Sequence, residues 1–141
     1  MSDVAQVRER VQNALGEFFE VMPEGENLAV VHGSVKCVAR VFQPDAEAPV
    51  YVRLRVSLLT GVPESDELHR YVAYHADDYL FGHLSLTAHE GGLADVHFTY
   101  TLLGDVNETD LTAAVAAVAF SADSLDDRLQ ARFGGHKYRE E

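Results

Sequence analysis

Apolar residues recur at helical spacing at both ends of the chain and at period two between them. Near the N-terminus Val4, Val7, Val11, Leu15, Phe18 and Phe19 fall on one stripe, which predicts a helix over residues 3–19 capped by Ser2 or Asp3. Met22-Pro23-Glu24-Gly25 ends it, because Pro cannot continue a helix and Gly frees the turn. Residues 28–32 read as a short extended lead-in. After Gly33-Ser34, Val35, Cys37, Ala39 and Val41 alternate with Lys36, Val38, Arg40 and Phe42, predicting a strand over 35–43. A polar hairpin-type connection over 44–49 follows. The strictest alternation comes next, over 50–59: Val50, Val52, Leu54, Val56 and Leu58 against Tyr51, Arg53, Arg55 and Ser57. Such a strand has one buried face and one wet face.

Thr60-Gly61-Val62-Pro63 reads as a turn. Ser65 or Asp66 then caps a short helix to residue 76, with Leu68, Tyr71, Val72 and His75 sharing a face. A third strand is expected from residue 80 or 81 to 87, a hairpin turn at Gly91-Gly92, and a fourth strand over 94–103. In that fourth strand Val96, Phe98, Tyr100 and Leu102 point one way, and His97, Thr99 and Thr101 the other. Asn107, with Asp110 in a capping-box-like position, opens the longest helix, 108–132. Its Leu111, Val115, Val118, Ala122, Leu125 and Leu129 form a seam able to lie along a sheet. Gly134-Gly135 stops it, and 134–141 is expected to be a frayed tail. The sum is a single α+β domain over 1–141, in the order α-β-β-α-β-β-α. An antiparallel sheet of four or five strands packs with three helices.

Composition narrows the function classes. A chain of 141 residues suits one domain with a real core. A net charge of −12 argues against a general nucleic-acid or anionic-membrane binder, since Lys and Arg drive phosphate binding. The lone cysteine, Cys37, excludes an intramolecular disulfide and a Cys-based zinc site. No leader pattern and no membrane-length apolar run is present, so the cytoplasm is the expected address. Arg outnumbers Lys nine to two and Ala is abundant, a compositional hint of a bacterial source.

No catalytic, cofactor or metal constellation emerges. His83, His89 and His97 lie close in sequence, and His83 and His97 could face each other across neighbouring strands. Zinc, however, needs three or four converging ligands, and two cross-strand histidines on a polar face are the plainer outcome. Asp77-Asp78 and Asp126-Asp127 are adjacent pairs whose side chains diverge, and they read as loop and solvated helix. Cys37 falls on the inward side of its strand as a small buried residue. Ser34 and Ser65 lack a His-Asp partner at a diagnostic spacing, and no phosphate-cradling glycine motif occurs. The less ordinary feature is a wet sheet face. It gathers Lys36, Arg40, Arg53 and Arg55 with Tyr51 and Phe42, and then His83, Ser85, His97, Thr99 and Thr101. Polar-out alternation explains it simply; a docking face for an acidic or extended segment is the functional reading, with Lys36, Arg40, Tyr51, Arg53, Arg55, His83 and His97 as candidates.

Four segments carry a family resemblance: Glu67-Leu68-His69-Arg70-Tyr71-Val72-Ala73, Tyr79-Leu80-Phe81-Gly82-His83-Leu84-Ser85, Tyr100-Thr101-Leu102-Leu103-Gly104-Asp105, and the stretch 122–135 from Ala122-Asp123-Ser124-Leu125 to Phe133-Gly134-Gly135. They resemble bacterial YbjN-like domains, which belong with the type III secretion chaperone-like fold. The resemblance implies a non-catalytic peptide- or protein-binding chaperone or adaptor, with a homodimer as in the secretion-chaperone branch. It supplies no catalytic residues to carry over. The expected partner is a protein or peptide, bound in an apolar groove or by addition to an open strand edge, with no nucleic acid and no membrane. The rival expectations are a small-ligand or enzymatic domain with a pocket between sheet and helices, and a purely structural partner.

Overall fold

The structure is a computed structural model that describes residues 3–139. The N-terminal stripe forms α1, Val4–Gly16, and its Asp3 cap accepts from the Gln6 N–H at 2.8 Å while donating its own N–H to the Gln6 side chain. Ser2, the alternative cap, lies outside the described residues. The helix stops three residues earlier than its stripe suggests, and Phe18 is left 68 % exposed.

The segment read as a helix-ending turn is instead a strand. β1, Val21–Glu24, pairs with β2, Asn27–His32, around Gly25. Pro23 is tolerated because β1 is the edge of the sheet, where a missing N–H costs no ladder bond. β3, Val35–Phe42, and β4, Tyr51–Pro63, follow, and then α2, Asp66–His75, capped by the Ser65 hydroxyl. β5, His83–His89, and β6, Leu93–Leu103, form a hairpin over Gly91-Gly92, both at positive φ. α3, Glu108–Phe133, is capped by Asn107. The α+β class and the order of helices stand as expected. The sheet has six strands in the order β1-β2-β3-β4-β6-β5, every neighbouring pair antiparallel.

Two further expectations are corrected. The turn expected at residues 60–63 is a continuation of β4, with register shifts at Ser57/Leu59 and Leu59/Val62. A bulge adds a residue and re-aims the strand, which is how the successive Leu58 and Leu59 both become fully buried. The expected frayed tail is tied down as far as it is described: Thr60 and His136 exchange backbone hydrogen bonds, both 2.9 Å, and the Arg139 N–H donates to the Ser34 carbonyl. Residues 140 and 141 lie outside the described residues.

All three helices pack on one face of the sheet. Val7, Val11 and Leu15 of α1, the α3 seam from Leu111 to Leu129, and Leu68 of α2 join the inward residues of β3, β4 and β6 in one core cluster. Cys37 sits in that cluster, and burial pushes its thiol up to about 12, so it stays protonated and unreactive. Among the described residues the opposite face of the sheet carries no helix, and its side chains form the candidate site.

Candidate functional site

Strand register fixes which outward residues meet. Arg40 lies directly opposite Arg53, Phe42 opposite Tyr51, and Val38 opposite Arg55 across the β3–β4 pair. On the other side of β4, Arg53 faces Thr101, Arg55 faces Thr99 and Ser57 faces His97. The Arg40 and Arg53 guanidiniums lie 5.2 and 4.8 Å from the centre of the Phe42 ring, which stacks on Tyr51 at 5.8 Å. Arg55 donates through Nε to the Thr99 hydroxyl at 3.2 Å. Together with Glu24, Asn27, Lys36 and Tyr138, these arginines line an open depression of about 300 Å³.

The charges of the seven expected residues are not equivalent. Lys36 is spent on an ion pair with Glu24 at 2.8 Å and on the Tyr138 ring. His97 is buried; burial and the neighbouring Arg55 hold it below the usual imidazole range, so it is neutral at neutral pH. It meets Ser57 at 3.3 Å and does not face His83, whose partner is Thr99. The expected His83–His97 juxtaposition is off by one pair of residues, because His97 lies opposite Ser85. Among the described residues, Arg40, Arg53 and Arg55 have no carboxylate partner. Like charges directly opposite in an antiparallel pair cost a few tenths to about 1 kcal/mol, and burial followed by Arg53 lowers the Arg55 pKa. An acidic chain thus holds three guanidiniums together on one face of its sheet with no carboxylate partner among the described residues.

The sequence reading missed Glu24 and Tyr138 at the rim of this depression, because only tertiary structure brings the first hairpin and the tail to β3. It also misjudged a second polar cluster. Asp126, expected on a solvated helix face, is fully buried, while Asp127 is exposed and pairs with Lys137. The Ser34 hydroxyl meets Asp123 at 2.8 Å and Asp126 at 2.5 Å, and the Ser34 N–H donates to Asp123 at 2.9 Å. One hydroxyl carries one proton, so it cannot donate to both acids. Asp123 is held below the usual carboxylate range by the Ser34 backbone and hydroxyl bonds and accepts as an anion. Burial pushes Asp126 up, although the Ser34 hydroxyl bond works the other way, so Asp126 is the more readily protonated of the two acids. Gly33 makes this possible: at φ 58 it occupies the left-handed region, and a Cβ there would overlap the Asp123 carboxylate.

Among the described residues, no three His, Cys, Asp or Glu side chains are grouped to hold a metal ion, and no helix is long and apolar enough to cross a membrane. The fold is similar to the crystal structure of YbjN from E. coli, with 10% sequence identity and a TM-score of 0.56 over 86% of this chain and 90% of that chain. At that identity the likeness concerns the fold alone. No curated protein matches the chain by sequence. The family model that describes the T3SS (YopN, CesT) and YbjN peptide-binding chaperones, TY-Chap1, matches residues 5–141, and the chain belongs to that family.

Proposed function

We propose that this chain is a non-catalytic, cytoplasmic chaperone or adaptor that holds an extended segment of a partner protein against the helix-free face of its sheet. The observation that carries the reading is the cluster of Arg40, Arg53 and Arg55, which pays a repulsive cost without a carboxylate partner among the described residues. The Phe42 ring and the Thr99 hydroxyl hold these side chains without neutralising them; a carboxylate ligand would do so.

Addition of a partner strand to a sheet edge is the weaker route. β1 is only four residues long and contains Pro23. At the other edge, the Leu84 N–H of β5 is already taken by the Ala76 carbonyl at 3.1 Å. Both edges are therefore partly blunted, whereas the outer face is open.

The test is to select binders from a random-peptide display library and map them by backbone amide chemical shifts. Perturbations are expected at residues 36–42, 51–57 and 97–101. Shifts confined to α1 and α3, or a selection that yields no binder, would count against the proposal.

A further inference from the structure

We propose that the outer face recognises carboxylates in alternation: its partner segment is extended and carries acidic residues at every second position, laid along β4. This rests on the peptide-binding reading above and adds the chemistry of the ligand.

The argument begins with spacing. Arg53 and Arg55 are two residues apart on one strand and point to the same side. Successive same-side residues of any extended chain are separated by roughly 6.5–7 Å. An extended ligand aligned with β4 therefore repeats at the same interval as the two guanidiniums. Asp or Glu at its positions i and i+2 would each meet one arginine, and Arg40, opposite Arg53, would close on the first from the neighbouring strand.

The surroundings favour a carboxylate over a bare phosphate chain. Phe42 and Tyr51 floor one end of the arginine row with stacked rings, which suits the apolar residues of a peptide that flank its acids. Glu24 and its partner Lys36 sit at the other end, where the net charge of the rim falls to zero. A polyanion such as a nucleic acid would meet Glu24 and an overall charge of −12 beyond the three arginines. A short acidic segment ends before that repulsion builds up.

The experiment compares labelled peptides by fluorescence anisotropy. One alternates Glu with Thr and Val, one has the same composition with its Glu residues in a single block at one end, one replaces Glu by Lys, and a single-stranded oligonucleotide serves as a polyanion. The alternating peptide is expected to bind about tenfold tighter than the blocked one, and the Lys peptide not at all. Arg53→Gln with Arg55→Gln should weaken the alternating peptide by tenfold or more, as should Arg55→Gln alone in part, while Arg70→Gln, a single charge loss on α2, should leave it unchanged. Equal affinity for the alternating and blocked peptides, indifference to the double substitution, or tighter binding of the oligonucleotide each overturns the proposal. If the alternating peptide fails while library-selected peptides still shift the resonances of β3 and β4, the alternating-carboxylate rule falls and the peptide-binding reading survives. If neither binds, both fall.

Discussion

Phe98→Ala is expected to destabilise the chain by about 3–5 kcal/mol, a large share of the roughly 5–15 kcal/mol available to a domain of ordinary stability. Phe98 is fully buried on β6, between Val56 of β4 and Leu84 of β5, and the Tyr79 ring meets its edge at 5.2 Å and 90°. Its ring reaches Gly82, where a Cβ would lie only 2.6 Å from the Phe98 Cζ. The ring thus joins β4, β6, β5 and the α2–β5 connection, and truncation opens a cavity at their junction. Gly82→Ala is strained twice, by that contact and by a φ of 134. The two substitutions share one contact, so a double-mutant cycle in urea should show coupling of more than about 0.5 kcal/mol. A Phe98→Ala loss under about 1 kcal/mol would mean that the site collapses around the missing ring, which this packing does not allow.

The second large effect concerns Asp126 and has a pH signature. Asp126→Ala is expected to cost about 1–3 kcal/mol, because it removes the buried carboxyl that meets the Ser34 hydroxyl and leaves that polar hydroxyl beside a void. Asp126→Asn should cost far less, since its amide can donate to the Ser34 oxygen while that hydroxyl donates to Asp123. The pKa of Asp126 is raised in the fold, so its stabilising contribution is complete below the ordinary carboxylate value and is lost as pH rises through the raised value. Asp123 is lowered, so its contribution is complete above the ordinary value and is lost as pH falls through the lowered one. His32 and Lys137 also face the cluster and favour the ionised form of Asp123 or, for Lys137, of both acids. Urea unfolding measured across pH should therefore show a decline above the ordinary carboxylate range in the native chain, flattened in Asp126→Asn. An Asn variant as unstable as the Ala variant, or one with an unchanged pH profile, would show that Asp126 does not take up a proton at this contact.

The alternation of Val52, Leu54 and Val56 with Arg53 and Arg55 was legible because a strand's side chains must alternate, whatever it pairs with. The α3 seam was legible for the matching reason, and each of its six residues is buried. Helix caps at Asp3, Ser65 and Asn107 are local hydrogen bonds and could be read directly. β1 was not legible, since a four-residue strand containing Pro has no periodicity to detect, and only its place at the sheet edge makes it a strand. The bulge in β4 hid behind turn-type residues for the same reason: Gly61 permits a turn or a bulge, and the β6 partner selects the bulge.

The same division runs through the candidate site. By itself the sequence determined that Arg40, Arg53 and Arg55 share the wet side of their strands, because parity along a strand is a local property. Only the tertiary structure decided that Lys36 is neutralised by Glu24, that His97 is covered, and that Asp126 meets Ser34 from across the fold. Which charges keep a partner depends on register and on distant segments, and these are set by the packing of the whole sheet against its helices.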